Sequence, residues 1–213
     1  MRLVPGGRRI GGGNQGYTMN TERPTPLPPP SLVGAIVVSA GASTRMEGKD
    51  KILVDLGGDH LVARTVSVLE RCAAIGAIVL VVREKNLAYA VGLSQRAGWK
   101  KVLHILAGGE RRQDSVRVGL SGLPHCEWVV VHDGARPLVT PALIEAGLRA
   151  AVPTGAATAV VPATDTVKRV SDDGRVLATL DRRELVMVQT PQVFRRDLLE
   201  RSHDENTVDV TDD

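Results

Sequence analysis

The chain has 213 residues with 27 basic and 24 acidic side chains, and 43% of it is hydrophobic although aromatic residues make up only 2%. This length suits one α/β domain, and the scarcity of aromatic residues indicates an aliphatic core of the kind that parallel sheets covered by helices contain. Residues 1–30 hold four arginines and one glutamate, which leaves 23 basic and 23 acidic residues elsewhere and argues against a basic nucleic-acid-binding face on the body.

The first 31 residues have the composition of an irregular extension. Six glycines and six of the twelve prolines fall within residues 1–30, and no apolar periodicity runs through them. Segments of this kind bury too little apolar surface to offset their conformational entropy. We therefore predict a disordered Gly/Pro-rich extension over 1–31 and one folded domain over 32–213.

Short apolar runs alternate with helical patterns from residue 32 to residue 161. The runs predict strands at 32–39, 77–82, 102–106, 128–132 and 157–161. The segments between them predict helices at 60–72, 87–97, 115–123 and 141–151, with Asp114 as a candidate cap of the third helix. Such alternation is typical of a Rossmann-like, mostly parallel sheet with helices on both faces.

The pattern changes beyond Pro162 to short β-like pieces. The segment SDDG at 171–174 is a hairpin turn signal. We therefore predict a β-arm over about 163–190 rather than another βα unit. The chain closes on VDVTDD without a final strand or helix to complete the sheet, so we also expect a truncated C-terminus.

The two cysteines and the lengths of the apolar runs indicate the cellular compartment of the protein. Cys72 and Cys126 lie far apart, show no paired metal-ligand spacing, and are expected to be reduced thiols. Nothing approaches the ~18 consecutive apolar residues of a membrane helix, and the N-terminus has no apolar signal region. The sequence therefore predicts a cytoplasmic protein without a membrane partner.

Three loops follow predicted strands, and ligands of open α/β sheets bind at the carboxyl ends of strands. The loop SAGASTRMEGKDK at 39–51 has small residues that let backbone amides approach phosphates, then Arg45 and Lys51. It lacks the GK[ST] of a P-loop, and an ordinary Gly-rich turn with solvated cations is the alternative. GGERRQDS at 108–115 is a polar cluster beside a tight turn. HDGARP sets Asp133 at the end of an apolar strand, where a carboxylate needs hydrogen-bond partners or a metal ion.

These loops and later segments together resemble the 2-C-methyl-D-erythritol 4-phosphate cytidylyltransferases of non-mevalonate isoprenoid biosynthesis. The segments that carry the resemblance are AGASTRM with Lys51, GGERRQDSV, VHDGARP, DTVKR, LDR and QTPQVF, in that order. The resemblance implies a Mg²⁺-dependent transferase that converts CTP and 2-C-methyl-D-erythritol 4-phosphate to 4-diphosphocytidyl-2-C-methyl-D-erythritol and pyrophosphate. It also implies a homodimer in which the β-arm crosses to the partner subunit.

The resemblance assigns roles to matching residues. Arg45 and Lys51 would stabilise the transition state at the α-phosphorus, and Arg182 would position the second substrate. CTP would be bound by Ala40, Gly41, Ser43, Gly109, Glu110 and Ser115, although the family more often has Asp at the position of Glu110. The polyol phosphate would be bound by Arg136, Thr166, Lys168 and Thr190, and Mg²⁺ by Asp133. A family lysine that also contacts the substrate phosphate would lie beyond Asp213.

Two alternatives stay open at this point. The nucleotide loops would look alike in a cytidylyltransferase for another polyol phosphate, such as ribitol 5-phosphate. The abrupt end is also compatible with a truncated, inactive nucleotide-binding fragment. For Lys168 and Arg169, the residues alone favour a solvated hairpin face.

Overall fold

The computed structural model describes residues 25–41 and 53–205, together with the backbone of residues 2–5. The α-helices in these ranges are α1 Leu61–Arg71, α2 Leu87–Ala97, α3 Arg112–Gly122, α4 Pro141–Ala151 and α5 Arg196–Glu205. The strands are β1 Arg2–Pro5, β2 Val33–Ser39, β3 Ala77–Val82, β4 Val102–Ala107, β5 Trp128–Asp133, β6 Ala156–Pro162, β7 Lys168–Val170, β8 Val176–Thr179 and β9 Val186–Arg195.

A seven-stranded sheet organises the domain, with the strand order β1-β6-β9-β5-β2-β3-β4. Strands β2, β3, β4 and β5 are mutually parallel where they pair, whereas β9 runs antiparallel to both β5 and β6. The predicted α/β class, a Rossmann-like and mostly parallel sheet with helices on both faces, is thus confirmed.

The core consists of two aliphatic layers, one on each face of the sheet. Alternate residues of β2 point to opposite layers, so that Val37 packs with α1, α2 and α4 while Ile36 packs with α3 and α5. The central strands β2, β3 and β5 are buried on both faces. This two-sided burial explains why they read in the sequence as continuous apolar runs rather than alternating patterns.

Local signals set several helix boundaries. At α4, Pro141 occupies the first turn and the Thr140 hydroxyl accepts a hydrogen bond of 3.2 Å from the Leu143 amide, a strong N-terminal signature. Asp114 does cap α3, as expected, but it does so from the third helical position. Its carboxylate accepts from the amide of Arg111, the residue that precedes the helix.

The chain order places a topological switch point between β2 and β5. After β2 the chain builds β3 and β4 on one side, and then returns to add β5 on the other side of β2. At such a point the connections on the two sides diverge and leave a crevice at the carboxyl ends of the strands. The residues that follow β2 and β5, including Gly41 and Gly134, therefore line the natural ligand-binding edge.

Three parts of the structure differ from the sequence-based expectation. Arg2–Pro5 forms an edge strand antiparallel to β6, although an irregular extension was predicted there. The strand β9 joins the main sheet between β5 and β6 instead of belonging wholly to the arm. Helix α5 follows it directly and packs Leu199 into the core, and it was not predicted.

The predicted arm is present as the β7–β8 hairpin, which forms a separate two-stranded sheet. Its turn contains Gly174, whose φ of 82° lies in the left-handed region that glycine tolerates. The SDDG segment therefore forms a turn, as predicted. In the described part of the chain, no helix is long and apolar enough to span a bilayer.

Two helical glycines provide a test of the packing. A Cβ on Gly119 in α3 would lie 2.4 Å from Cγ2 of Ile36, whereas a Cβ on Gly92 in α2 would meet only the flexible end of Arg96 at 3.2 Å. We expect Gly119→Ala to lower the free energy of unfolding by about 1 to 3 kcal/mol, because the core must be overpacked. Gly92→Ala is expected to raise it by up to about 1 kcal/mol through helix propensity. Urea unfolding of both variants checks the prediction, and equal effects at the two sites would contradict it.

Candidate active site

The Asp133 carboxylate is the centre of a polar cluster at the end of β5. Its Oδ2 atom accepts a hydrogen bond of 2.9 Å from Nε of Arg136, and its Oδ1 atom lies 3.5 Å from Nε of Arg112. The Asp133 side chain remains 29% exposed. A carboxylate at the end of a buried strand is therefore paired with two guanidinium groups and still open to a ligand.

Two glutamines of β9 complete this cluster. Gln192 accepts a hydrogen bond of 3.0 Å from Nη2 of Arg112, and Gln189 accepts one from Nη1 of Arg136. Each arginine is thus held between the Asp133 carboxylate and one amide oxygen. Because a guanidinium has five N–H donors, each arginine can bind several acceptors at once, and an anionic ligand can be one of them.

A buried histidine lies under the cluster. His132 is 1% exposed, and its Nδ1 atom is 2.9 Å from the Thr190 hydroxyl on β9. Its Nε2 atom is 3.2 Å from the backbone carbonyl of Arg136. The Thr190 hydroxyl also accepts a hydrogen bond of 3.2 Å from the backbone amide of Asp133. Strands β5 and β9 are therefore joined by side chains as well as by their ladder.

Burial lowers the pKa of His132 to about 4, although the carbonyl of Arg136 and the charge of Asp133 oppose the shift. The imidazole is therefore neutral at neutral pH. A neutral imidazole has one N–H donor and one acceptor nitrogen. His132 must consequently donate one of its two hydrogen bonds and accept the other.

The loop after β5 is fixed by close contacts with β2 and α1. The Gly134 amide donates to the Val38 carbonyl at 2.9 Å, and the Thr65 hydroxyl donates to the Gly134 carbonyl at 2.9 Å. A Cβ on Gly134 would lie 1.9 Å from Oγ of Ser39, so a larger residue would require the Ser39 side chain to move. The ends of β2 and β5 are thus held in contact at the switch point.

A pocket of about 310 Å³ opens beside the cluster. Its polar wall is formed by His132, Arg136, Gln189 and Thr190, and its apolar wall includes Leu138, Val139 and Leu143. Leu138 is 92% exposed, which is unusual for a leucine. The pocket can therefore offer both hydrogen-bonding groups and aliphatic surface to a small ligand.

The residues predicted to bind CTP lie at the same edge, as far as the structure describes them. Ala40 and Ser115 are buried and both approach Gly108, whose added Cβ would lie 2.4 Å from Cβ of Ala40 and 2.6 Å from Oγ of Ser115. Gly41, Gly109 and Glu110 are exposed. Ser43, Arg45 and Lys51 lie outside the described residues. The CTP-binding roles of Ala40, Gly41, Ser43, Gly109, Glu110 and Ser115 stay predictions, as do the catalytic roles of Arg45 and Lys51.

The residues predicted to bind the polyol phosphate fall into two groups. Arg136 and Thr190 belong to the cluster around Asp133. Thr166, Lys168 and Arg182 are exposed on the arm, where Lys168 donates to the Thr179 hydroxyl at 2.6 Å and Arg182 donates to the Thr164 carbonyl at 2.7 Å. The structure thus brings together the first group, whereas these hydrogen bonds of Lys168 and Arg182 stay within the arm.

The donor set suits Mg²⁺ only in combination with a ligand. Within the described ranges, no three or more His, Cys, Asp or Glu side chains cluster so that they could hold a metal ion. Mg²⁺ in phosphate-transfer sites commonly takes one or two carboxylates and completes its shell with phosphate oxygens and water. A single, partly exposed Asp133 fits that arrangement.

Four residues of the site had no role in the sequence-based account: Arg112, His132, Gln189 and Gln192. All four lie within three of the segments that carry the family resemblance, GGERRQDSV, VHDGARP and QTPQVF. Their roles depend on the pairing of β9 with β5, which the sequence pattern did not predict. The density of polar residues after an apolar strand was the sequence signal that could have identified these residues.

The open sheet, with a basic and acidic cluster at its carboxyl edge, suits an anionic ligand, and its solved structural relatives place it among the α/β nucleotidyltransferase folds. A family model described as 2-C-methyl-D-erythritol 4-phosphate cytidylyltransferase matches residues 33–213. A protein of that name from Dehalococcoides mccartyi strain 195 is 48% identical over 181 residues, which cover 85% of this chain and 80% of the relative. A homologue from Pelotomaculum thermopropionicum with the same name is 44% identical, covering 80% of this chain and 73% of its own.

Solved structures agree with the sequence relatives. The crystal structure of 4-diphosphocytidyl-2C-methyl-D-erythritol synthase from Anaerococcus prevotii has a TM-score of 0.75 at 26% identity, covering 85% of this chain and 80% of that one. The structure of 2-C-methyl-D-erythritol 4-phosphate cytidylyltransferase from Thermus thermophilus has a TM-score of 0.62 at 26% identity, with coverages of 84% and 79%. The chain belongs to the 2-C-methyl-D-erythritol 4-phosphate cytidylyltransferase family.

Proposed function

We propose that this chain transfers the cytidylyl group of CTP to the phosphate of 2-C-methyl-D-erythritol 4-phosphate, releasing pyrophosphate, in isoprenoid biosynthesis. The observation that carries the proposal is the 48% identity to a relative of that name over 85% of the chain. The charged cluster around Asp133 supports it, since it lies at the edge of the sheet where nucleotides bind.

The reaction needs charge neutralisation more than acid–base chemistry. The attacking group is a phosphate monoester, which is already anionic at neutral pH, so no strong general base is required. Attack on the α-phosphorus places additional negative charge on its equatorial oxygens, and fixed cations there stabilise the transition state. Arg45 and Lys51 have this role by resemblance to the family. The guanidinium groups of Arg112 and Arg136 supply further positive charge at the carboxyl ends of the strands.

The pocket beside Thr190 suits the second substrate. 2-C-Methyl-D-erythritol 4-phosphate carries hydroxyl groups, an anionic phosphate and a methyl branch. Arg136, Gln189 and Thr190 can meet its polar groups, and the aliphatic wall with Leu138 and Val139 can meet the methyl group. This apolar wall favours the methyl-branched substrate over ribitol 5-phosphate, which has no such branch.

A pyrophosphate-release assay with CTP, Mg²⁺ and either polyol phosphate tests this function. We expect turnover with 2-C-methyl-D-erythritol 4-phosphate and a lower kcat/KM with ribitol 5-phosphate. Arg182→Ala is expected to lower kcat/KM for the methylerythritol substrate by about 100-fold, because a charged contact to the substrate is lost. Its neighbour Arg183, which is paired with Asp181 at 2.6 Å, provides the matched control Arg183→Ala.

The outcomes of this assay separate the rival functions. A preference for ribitol 5-phosphate would assign the chain to that substrate instead. Binding of CTP without pyrophosphate release from either substrate would identify an inactive nucleotide-binding protein. Equal losses in the Arg182→Ala and Arg183→Ala variants would contradict the role of Arg182.

We further propose that Asp133 holds Mg²⁺ together with the CTP phosphates. Bound there, the ion would neutralise the triphosphate and assist the departure of pyrophosphate. Asp133 would exchange guanidinium partners for the ion; Arg112 would then face the CTP phosphates and Arg136 the phosphate of the second substrate. The partial exposure of Asp133 at the switch point supports this assignment.

Replacing Asp133 with Asn is expected to lower kcat/KM by about 100-fold or more and to raise the Mg²⁺ concentration needed for half-maximal rate. Asp114→Asn is the control, because it removes an equal charge from the start of α3, where Asp114 pairs with Arg111 at 2.7 Å. Titration of the rate with Mg²⁺ measures both effects. An unchanged Mg²⁺ dependence in Asp133→Asn would contradict the proposal that Asp133 binds Mg²⁺.

The arm also supports a proposal on assembly, namely a homodimer in which the arm crosses to the partner. Seven aliphatic side chains of the arm and of early β9 are between 37% and 62% exposed: Val170, Val176, Leu177, Leu180, Val186, Met187 and Val188. So many exposed aliphatic side chains within one segment are typical of a protein interface. We propose that a second copy of the chain covers this surface. The same arrangement explains why Thr166, Lys168 and Arg182 are exposed, since they would complete the partner's site.

Leu177→Asp is expected to convert a dimer to a monomer and to lower kcat at least tenfold, because a buried charge opposes association and the arm residues leave the partner's site. Leu103→Asp is the control, since Leu103 is 49% exposed on the opposite edge strand β4. Light scattering after gel filtration measures the mass. A monomeric wild-type protein with full activity would contradict the proposal.

We place the reaction in the cytoplasm. Both cysteines are free and buried, as suits a reducing compartment. Cell fractionation with an antibody to the chain tests this, and recovery of the protein outside the cytoplasmic fraction would contradict it.

A further inference from the structure

We infer that His132 is a positioning residue that fixes the Thr190 hydroxyl as a hydrogen-bond acceptor for a hydroxyl group of the second substrate. This inference rests on the proposed function and deepens it. It concerns which part of the substrate Thr190 can recognise. The observations that carry it are the two hydrogen bonds of the buried imidazole and the position of Thr190 in the wall of the pocket.

The direction of each hydrogen bond follows from the partners. The backbone carbonyl of Arg136 can only accept, so Nε2 of His132 carries the proton and donates to it across 3.2 Å. The ring is buried, and its two hydrogen-bond partners are a carbonyl and a hydroxyl rather than a carboxylate, so an imidazolium there would be a buried charge without an ionic partner. In the neutral ring that this favours, Nδ1 is an acceptor. The Thr190 hydroxyl must therefore donate its proton to Nδ1 across 2.9 Å. With the ring at 1% exposure, water does not compete for either nitrogen.

This direction limits what Thr190 can offer to a ligand. A hydroxyl has one proton and two lone pairs. The proton is used by His132, and one lone pair accepts the backbone amide of Asp133 at 3.2 Å. One lone pair remains, and Thr190 lines the pocket of about 310 Å³.

The remaining lone pair of the Thr190 hydroxyl can accept only from a hydrogen-bond donor of the ligand. An alcohol group of the polyol can donate a hydrogen bond to it, whereas an anionic phosphate oxygen would place lone pairs against a lone pair. Thr190 thus recognises the carbon chain of the substrate, and the phosphate is left to cationic groups such as Arg136. His132 thus determines which substrate group Thr190 binds, without touching the substrate itself.

The same ring also holds the backbone of Arg136. The carbonyl of Arg136 is fixed by His132, and its guanidinium is oriented by Asp133 and Gln189. One buried side chain therefore links two residues of the pocket, on β9 and on the loop after β5. A purely structural histidine would stabilise the fold without affecting one substrate more than the other, and this difference can be measured.

Two substitutions separate the two hydrogen bonds. His132→Gln can still reach the Arg136 carbonyl with its amide nitrogen, but it leaves no group at the position of Nδ1. His132→Asn places a rotatable amide near Nδ1, whose oxygen can accept from Thr190, and it loses the contact with Arg136. We expect His132→Gln to raise KM for 2-C-methyl-D-erythritol 4-phosphate about tenfold, the loss of one hydrogen bond, with KM for CTP changed less than about twofold. His132→Asn is expected to raise it less.

A double-mutant cycle with Thr190→Val tests whether His132 acts through Thr190. If it does, His132→Gln adds little to the effect of Thr190→Val, because the hydroxyl that it positions is already absent. Thermal unfolding of each variant verifies that the proteins compared are folded. If His132→Gln does not fold, the decision passes to Thr190→Val and to substrate analogues that lack one hydroxyl each.

The analogues give an independent readout. We expect one deoxy analogue to be penalised in the wild-type enzyme and to lose that penalty in Thr190→Val. Equal rises in KM for both substrates, full additivity of His132→Gln and Thr190→Val, or a penalty that persists for every analogue would overturn the inference. The wild-type protein tests the proposed function separately, since failure of that function would appear as absence of turnover with 2-C-methyl-D-erythritol 4-phosphate.

Discussion

The antiparallel pairing of β9 with β5 is the contact on which the site depends. The register pairs Val131 with Gln192, and the next positions along the two strands bring Thr190 against His132 and Asp133. A shift of the register by one residue would turn Gln192 and Thr190 to the other face of the sheet. The arginines of the cluster would then lose their amide partners, and His132 would be left with an unsatisfied nitrogen. Leaving a buried polar group unpaired costs about 1 to 3 kcal/mol, so the polar contacts themselves help to specify the register.

The electrostatics of the site suit an anionic ligand that arrives with a cation. Asp133 keeps Arg112 and Arg136 from facing each other as uncompensated like charges. Binding of a polyphosphate and a metal ion would replace these ion pairs with pairs of the same kind, so little new charge would be buried. A preorganised cluster of this type needs little reorganisation when the ligand binds, and this is the property that makes such sites effective in phosphoryl chemistry.

Much of the fold followed from the sequence, because the two-sided burial of β2, β3 and β5 gives continuous apolar runs. The predicted strand at 77–82 and the predicted helices at 87–97 and 141–151 have the bounds that the structure shows. The main errors concern β9 and α5. The start of β9 is exposed and its middle carries Gln189, Thr190 and Gln192, so its composition resembles that of an arm. Only tertiary pairing with β5 and β6 identifies it as a strand of the main sheet.

The candidate site, like the fold, could be predicted from the sequence only in part. Asp133 was predicted from a polar segment at the end of an apolar strand, and Arg136 from the family resemblance; the structure places the two in contact. Thr190 joins them because β9 pairs with β5, which local sequence cannot show. His132 reads in the sequence as the last residue of a buried strand, and nothing in the pattern distinguishes a structural histidine from one that orients a neighbouring hydroxyl. That distinction required its two hydrogen-bond partners.

The central proposal is that the nucleotide phosphates bind at the cluster around Asp133. A crystal structure of the chain with CTP and Mg²⁺ tests this most directly. We expect triphosphate density at the carboxyl ends of β2 and β5, with an Asp133 oxygen on the metal ion and the guanidinium of Arg112 turned to a phosphate. Nucleotide bound at another edge of the sheet, with Asp133 still paired to both arginines, would contradict it.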